Sequence, residues 1–326
     1  MSFLELFGAF VLLYNLLYLI IPMFLDCDMR LYLKEKFGKP KDSLAGKVIW
    51  IIGASSGIGE HTAYALANAG CKLIISARRT DLLQKVKEKC VIENNEKLTG
   101  NDILILPFDI LDLNVHQKMF DIILQKFGKL DILVHNTGRS QRANWENIDI
   151  NVDKEAFELN VFSIVNLTRV VLKYFIKQGK GHVAVNSSIA GIMGIPFSAS
   201  YTGSKHALHG YFECLRTEKS ISNISVTMIV PGPIQTDFLP ESFTDTIGEK
   251  FGQKTPIASS KLSPKRCGEL IAIALANELN EVWISFSPPL FLSYLKFYPN
   301  LGRLISNLLG PTFHQRLRDS KTTVNQ

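Results

Sequence analysis

Seven short apolar runs alternate along the chain with longer stretches of helical pattern. The runs show no alternation of apolar and polar positions and cover residues 48–52, 72–76, 103–106, 132–135, 182–186, 225–230 and 282–285. Such runs are typical of strands covered on both faces, as in a parallel sheet. The stretches between them, such as residues 81–90 and 114–127, are long enough for crossover helices. The pattern predicts an α/β fold, a Rossmann-type doubly wound parallel sheet in three αβα layers.

The first 25 residues have a different pattern. From residue 6 to residue 25 the chain is almost wholly apolar, interrupted only by Asn15, and about 20 such residues match the hydrocarbon core of a bilayer. A cleaved signal peptide is one alternative, but Glu5 precedes the run, no Lys or Arg does, and the run ends in large residues. A buried core helix is the other, although the domain that begins near residue 47 is complete without it. We therefore expect residues 1–25 to be a retained transmembrane helix that precedes the sheet.

Basic residues follow this span and none precedes it. The positive-inside rule therefore places the catalytic domain in the cytosol, on the evidence of Arg30, Lys34, Lys36, Lys39 and Lys41. A sequon at residues 223–225 would suit a lumenal domain, and the sequons do not decide the side. The expected organisation is an anchor over residues 1–25, a charged linker over 26–46, a catalytic domain over 47–286, and an apolar C-terminal extension with a polar tail over 287–326.

Composition excludes several other classes of protein. Among 326 residues, 36 Lys and Arg oppose 30 Asp and Glu, a net charge of +6 without a dense basic run, so no nucleic-acid partner is expected. The five cysteines are scattered and form no C-x-x-C or Cys/His cluster. Neither a disulfide framework nor a metal site is therefore predicted.

A glycine-rich segment, residues 53–59, directly follows the first predicted strand. Glycine lets a backbone turn tightly and approach a pyrophosphate, and the helix that follows offers its N-terminus to phosphates. A purely structural turn between strand and helix is the alternative. The position at the start of a βαβ unit favours dinucleotide binding, with the candidate contacts Gly53, Ser55, Ser56, Gly57, Ile58 and Gly59.

Two arginines, Arg78 and Arg79, follow the second predicted strand. A site for NAD places Asp or Glu there to accept hydrogen bonds from the ribose 2′-hydroxyl. Guanidinium groups are instead bidentate donors suited to a 2′-phosphate. The sequence therefore favours NADP(H) over NAD(H). A solvated basic helix start remains the alternative, more for Arg79 than for Arg78.

Tyr201 and Lys205 are spaced to lie one helical turn apart on one face. A lysine charge about 4 Å from a phenol contributes roughly 4 kcal/mol, which would bring the phenol pKa from about 10 to about 7. Ser188 lies thirteen residues upstream, just beyond a predicted strand, where its hydroxyl could reach the same substrate. The spacing alone is weak evidence, because Tyr32 and Lys36 share it within the linker. The position near the carboxyl edge of the sheet distinguishes Tyr201.

Taken together, these motifs make residues 47–285 resemble the short-chain dehydrogenase/reductase family, and in detail its membrane-bound family member seven group. The glycine segment and the Ser188, Tyr201 and Lys205 set occur in the family's order. Further matches are Asp109 after the third strand, Asn136 within residues 135–138, Asn160 as a fourth catalytic residue, and Thr236 within residues 231–236. Two residues depart from the family pattern: Ile52 replaces a threonine and His135 replaces an asparagine. We expect His135 to be a structural residue.

The resemblance implies a role for each matching residue. Tyr201 would exchange a proton with the substrate oxygen, Ser188 would bind that oxygen, and Lys205 would lower the phenol pKa and bind the nicotinamide ribose. Asn160 would hold a water beside Lys205, although a helix kink or a buried polar residue is the alternative. Asp109 would contact adenine or cap a turn, Asn136 would line the cofactor site, and Thr236 would touch the carboxamide or phosphate.

The resulting hypothesis is an NADP(H)-dependent oxidoreductase that interconverts a lipophilic carbonyl and alcohol, such as a steroid, a retinoid or a lipid aldehyde. Apolar residues after Pro231 and within residues 288–309 support a lipophilic substrate and contact with the bilayer, with core packing or a homodimer contact as alternatives. The resemblance also implies a single-pass protein of the endoplasmic reticulum. A catalytically silent scaffold of the same fold and an NAD-linked alcohol dehydrogenase remain the competing hypotheses.

Overall fold

The computed structural model describes residues 2–93, 97–253 and 261–319, and in these the chain forms a seven-stranded parallel sheet. Each predicted strand is confirmed to within one residue at either end, because polar turns bound the apolar runs and so mark where each strand begins and ends. The strands are β1 Val48–Ile52, β2 Lys72–Ser76, β3 Ile103–Ile105, β4 Ile132–His135, β5 Gly181–Asn186, β6 Ile224–Pro231 and β7 Glu281–Ile284. Their order across the sheet is β3-β2-β1-β4-β5-β6-β7.

Helices connect the strands and cover both faces of the sheet. They are α1 Phe3–Ile20, α2 Met29–Phe37, α3 Gly57–Asn68, α4 Thr80–Ile92, α5 His116–Phe127, α6 Ile150–Phe157, α7 Ser163–Gln178, α8 Ala199–Glu218, α9 Pro264–Ala276, α10 Pro289–Tyr294 and α11 Pro299–Asp319. Alternate residues of β1 enter opposite cores: Ile49 and Ile51 pack with α3, α4 and α9, whereas Val48, Trp50 and Ile52 pack with α5, α7 and α8. The predicted three-layer αβα architecture is confirmed.

The sheet has a switch point between β1 and β4, where successive crossovers turn from one side to the other. At such a point the loops that leave the carboxyl ends of the strands diverge and open a crevice. The glycine segment leaves β1 there, and the loop with Asn136 leaves β4. The fold therefore directs the candidate residues of several distant segments to one edge.

Helix α1 and the short turn after it form an apolar span of 22 residues, Phe3–Phe24, whose most apolar stretch is not buried in the protein. A second apolar helical stretch, Ile150–Gln178, is half-buried and includes α7, which packs on the sheet. Exposed apolar residues on every side of a helix suit a lipid environment rather than water. The N-terminal helix is thus consistent with one transmembrane span.

The segment that we expected to be a charged linker, residues 26–46, is instead folded against the catalytic domain. Helix α2 lies within it, and Asp28 is buried, accepting hydrogen bonds from the backbone of Trp283 at 2.7 Å and of Leu31 at 3.0 Å. Arg266 of α9 is paired with both Asp26 and Glu35. The charges that suggested a linker therefore make specific contacts with the domain.

The C-terminal extension packs against the C-terminal half of α1. The ring of Tyr294 lies 5.0 Å from the rings of both Tyr18 and Trp283, and the hydroxyl of Tyr298 is hydrogen-bonded to Asn15. Further along α11, apolar side chains are exposed, with 57% of Leu304 and 77% of Leu308 accessible. The anchor and the extension thus meet on one side of the domain. The end of the polar tail, residues 320–326, lies outside the described residues.

Candidate active site

A cleft of about 920 Å³ opens at the carboxyl edge of the sheet. It brings together most of the residues that the sequence predicted, from the loops after the first six strands and from helix α8. Those that line it are Gly53, Ser55, Ser56, Gly57, Ile58, Arg78, Arg79, Asp109, Asn136, Ser188, Tyr201, Lys205 and Thr236. Two of the predicted residues, Gly59 and Asn160, lie behind the lining rather than in it.

The glycine segment forms a tight turn that a hydrogen bond from Asn136 holds in place. Gly53 has a φ of 82° and Gly57 a φ of 63°, a left-handed conformation that favours glycine. A β-carbon on Gly59 would overlap the carbonyl oxygen of Gly53 and lie 2.5 Å from Nδ2 of Asn136. That same Nδ2 donates to the Gly53 oxygen at 3.0 Å. The turn therefore presents bare backbone to the cleft, in a form suited to a pyrophosphate.

The two arginines make different contacts at the mouth of the cleft. Arg79 donates from Nη2 to the hydroxyls of Ser55 and Ser56, at 3.2 Å each. Nη1 of Arg78 lies 3.9 Å from the carboxylate of Asp109, which also accepts a hydrogen bond from the backbone of Leu111. The sequence favoured Arg78 as the more specific contact. The structure instead places the Arg79 guanidinium against the glycine segment, and Asp109 does cap a turn.

Ser188 and Tyr201 face each other inside the cleft. The phenol of Tyr201 lies within hydrogen-bonding reach of the side chain of Ser188, and the Ser188 oxygen accepts from the backbone N–H of Ala190 at 3.1 Å. Burial raises the pKa of Tyr201, while the Ser188 hydrogen bond and the positive charge of Arg142 act in the opposite direction. The two hydroxyls thus lie together in the cleft that the glycine segment also lines.

Lys205 lies one turn after Tyr201 on α8 and is buried. Its Nζ lies 5.7 Å from the centre of the Tyr201 ring and donates to the backbone oxygen of Asn186 at 2.8 Å. Burial of the side chain lowers the pKa of Lys205 to about 7. Burial therefore shifts the pKa of both groups, and the charge of Arg142 acts to lower the pKa of Tyr201.

Asn160 lies in a short π-helical turn, Glu158–Phe162, between α6 and α7. Its side chain bonds the backbone N–H and C=O of Arg139, at 2.9 Å each, and the hydroxyl of Ser204 at 3.0 Å. The widened turn and the buried amide match the structural alternative for this residue. Asn160 thus fixes the loop after β4 against α8 and does not line the cleft directly.

His135 is a structural residue, as the sequence indicated. It is fully buried, its Nε2 lies 2.8 Å from the hydroxyl of Thr168, and burial lowers its pKa to about 3. A neutral imidazole enclosed in this way braces β4 against α7 and has no access to the cleft.

Sequence reasoning missed one residue, Arg142, and part of the apolar lining. Arg142 lines the cleft, donating to the backbone oxygen of Gln141 at 2.8 Å and to the hydroxyl of Ser198 at 3.0 Å. It belongs to no local motif, and only the fold brings it near Tyr201. The cleft lining also includes the apolar residues Ile189, Met193, Ile195, Phe238, Leu239, Pro289 and Leu292.

The low pKa of Lys205 has a consequence for stability. In the unfolded chain a lysine has a pKa of about 10.4, whereas in the folded protein Lys205 has a pKa of about 7. Between these values the unfolded chain binds more protons, so stability should rise with pH and the burial penalty should be complete below pH 7. We expect Lys205→Met to remove this rise. Urea unfolding midpoints from pH 6.5 to 9.5 measure it, with exposed Lys118→Met as the control; an unchanged slope would contradict the assignment.

The sequence of this chain is similar to those of known short-chain dehydrogenases. The sequence matches the short chain dehydrogenase family over residues 47–246. It is 39% identical over 307 residues to human dehydrogenase/reductase SDR family member 7, covering 92% of this chain and 88% of that protein. The mouse protein of the same name is 37% identical, with coverages of 90% and 87%. A Drosophila melanogaster family protein 7-like sequence is 32% identical, with coverages of 76% and 75%.

Solved structures share the fold. An alcohol dehydrogenase from Thermococcus sibiricus, complexed with 5-hydroxy-NADP, superposes with a TM-score of 0.64 at 23% identity and covers 74% of this chain and 97% of that one. A short-chain dehydrogenase from Streptomyces avermitilis has the same TM-score and identity, with coverages of 85% and 100%. The chain therefore belongs to the short-chain dehydrogenase/reductase family of oxidoreductases, within its member 7 group.

Proposed function

We propose that the protein is an NADP(H)-dependent oxidoreductase that interconverts a lipophilic carbonyl compound and the corresponding alcohol, with Tyr201 as general acid and base. One observation carries the proposal: the hydroxyls of Tyr201 and Ser188 meet in the cleft that the glycine segment also lines. The test is turnover by the purified full-length protein with a panel of lipophilic ketones, aldehydes and alcohols and each dinucleotide. No turnover with any member of the panel would favour the scaffold alternative.

The chain's own residues fit a nicotinamide dinucleotide. The absence of side chains at Gly53 and Gly59 leaves backbone open for a pyrophosphate, and Asn136 holds that backbone in place. Asp109 would take the adenine end and Thr236, which borders Gly57, the nicotinamide end. When bound, the nicotinamide supplies or accepts the hydride.

Proton transfer belongs to the protein side chains. The Ser188 oxygen accepts from the Ala190 N–H, so its own proton is available to a substrate oxygen. Tyr201 would give its proton to the same oxygen, aided by the charge of Arg142. Lys205, with a pKa of about 7, is suited to take up and release a proton at neutral pH. Asn160 makes no direct contact with this set and would act through a water.

Arg79 and Arg78 are the proposed determinants of NADP(H) selectivity. A charge-assisted hydrogen bond to the 2′-phosphate is worth about 1.5–3 kcal/mol, so Arg79→Ala should weaken NADPH binding by on the order of tenfold or more. NADH lacks that phosphate and its affinity should change little. Arg78→Ala should act in the same direction and more weakly, because Asp109 already engages the guanidinium. Fluorescence titration with both dinucleotides measures this, with exposed Arg169→Ala as the control; equal losses for the two would refute the assignment.

Two features support a lipophilic substrate: the apolar residues in the cleft lining, and the position of α10 between the cleft and helix α1. Pro289 and Leu292 line the cleft and belong to α10, whose Tyr294 contacts the membrane-anchor helix. A substrate dissolved in the bilayer would therefore have a short route to Tyr201. We further propose a single-pass protein of the endoplasmic reticulum with the catalytic domain in the cytosol, following the basic residues after the span.

The C-terminal extension should itself contact the bilayer. We expect a variant lacking residues 2–25 to keep part of its membrane association in flotation assays, because Leu304 and Leu308 remain exposed on α11. Adding Leu304→Asp and Leu308→Asp should release it. The matched control is Ile221→Asp, which changes an exposed apolar residue that belongs to neither α1 nor α11. A deletion variant that is wholly soluble would reject this role.

A further inference from the structure

Helix α8 holds the end of β5 through three successive turns. Tyr201, Lys205 and His209 are spaced four residues apart and therefore lie on one face of the helix. Each contacts a different residue of one short segment: Tyr201 contacts Ser188, Lys205 the backbone oxygen of Asn186, and His209 the hydroxyl of Ser187. The first two contacts belong to the catalytic set proposed above, whereas the third has no assigned role.

The contact between His209 and Ser187 is buried and closely fitted. Nε2 of His209 lies 3.0 Å from the Ser187 oxygen, and 7% of the histidine and 3% of the serine are accessible. A β-carbon on Gly191 would lie 2.5 Å from that oxygen and 2.9 Å from the imidazole. The absence of a side chain at Gly191 therefore leaves room for this contact.

A carboxylate orients the imidazole from its other side. Nδ1 of His209 lies 3.6 Å from Oε2 of Glu281, at the start of β7, and the other Glu281 oxygen accepts from Nε1 of Trp283 at 2.7 Å. Burial acts to raise the pKa of Glu281, but the neighbouring His209 and the hydrogen bond from Trp283 outweigh it and the pKa is lowered. An ionised carboxylate favours the proton on Nδ1, so in the neutral ring Nε2 accepts the hydroxyl proton of Ser187.

We propose that His209 is a positioning residue for the reaction proposed above: together with Glu281 it holds Ser187, and thereby keeps the hydroxyl of Ser188 against Tyr201. Ser187 is fixed at two points, since its backbone N–H also donates to the oxygen of Ile229 on β6 at 2.7 Å. If Ser187 can move, Ser188 moves with it, because a peptide bond joins the two residues. Displacement of a reacting group by about 1 Å can slow a reaction by up to a hundredfold.

Steady-state kinetics of matched variants tests the proposal. His209→Ala should lower kcat by about tenfold while leaving the KM for NADPH unchanged, because one buried hydrogen bond is lost far from the dinucleotide loop. His209→Gln, whose amide can still bond Ser187, should recover most of the rate. His206→Ala, on the exposed face of the same helix, is the control and should have no effect.

A double substitution distinguishes a shared contact from independent effects. If His209 acts through Ser187, then Ser187→Ala combined with His209→Ala should be no slower than the slower single variant. Independent, multiplying losses would overturn the proposal, as would an unchanged kcat in His209→Ala or a glutamine variant as slow as the alanine variant.

Unfolding of the same variants separates this inference from the proposed function. Absence of turnover in the unsubstituted protein would refute the oxidoreductase activity itself. In that case the contact between His209 and Ser187 is tested by the denaturant unfolding midpoints of the two single variants and the double variant. If the shift of the double variant differs from the sum of the two single shifts, the contact is supported; if the shifts add, it is overturned.

Discussion

Replacing Tyr201 with phenylalanine is expected to abolish turnover while leaving dinucleotide binding almost intact. The substitution removes the hydroxyl that meets Ser188 and keeps the ring, which packs 6.1 Å from the ring of Phe238. Loss of a general acid and base slows a reaction by roughly 100- to 10,000-fold. Single-turnover kinetics and NADPH fluorescence titration, performed on the same preparation, separate the two effects.

The matched control for this variant is Tyr211→Phe, which removes a hydroxyl from an exposed position on the same helix. It should be as active as the unsubstituted protein. A Tyr201→Phe protein that retains a tenth or more of the rate would show that another group supplies the proton, and Ser188 would be the first candidate.

Substituting Gly59 with alanine is expected to disrupt the cofactor site and destabilise the fold together. The added carbon would overlap the Gly53 oxygen and crowd Asn136, so helix α3 must move away from β1. Forcing a methyl group into a packed site costs about 1–3 kcal/mol of unfolding free energy. Because the same movement opens the turn, NADPH affinity should fall strongly as well.

Gly210→Ala gives a control of the opposite sign. Gly210 lies within α8 and a β-carbon there would meet nothing within 4 Å. Alanine should therefore stabilise the helix by up to about 1 kcal/mol through its higher propensity. Denaturant unfolding and NADPH titration of both variants measure the contrast. A Gly59→Ala protein that binds NADPH normally would show that the turn does not form the pyrophosphate site.

The strands and the gathering of the cleft residues were predictable from the sequence because both follow from local rules. Uninterrupted apolar runs indicate a sheet covered on both faces, and in a doubly wound sheet the residues after each strand meet at one edge. Ser188 and Thr236 are 48 positions apart and still line one cleft for this reason. The glycine segment was identifiable because its position after β1 is part of the motif.

What could not be predicted depends on contacts between distant segments. The charges of residues 26–46 suggest a solvated linker unless their partner, Arg266, is known to lie beside them. Arg142 belongs to no motif and reaches the site only through the loop after β4. Periodicity correctly placed Lys205 on the face of Tyr201, but the lysine's burial, which lowers its pKa to about 7, follows from the packing of α8 on the sheet.

Transfer of deuterium tests the central claim most directly. The full-length protein in detergent would be incubated with NADPH carrying deuterium at both C4 positions of the nicotinamide and with a panel of lipophilic ketones and aldehydes, and the alcohols would be analysed by mass spectrometry. We expect one deuterium on the carbinol carbon of at least one product, made by the unsubstituted protein and by Tyr211→Phe and absent with Tyr201→Phe. Products without deuterium, or labelled equally by the Tyr201→Phe protein, would contradict the account.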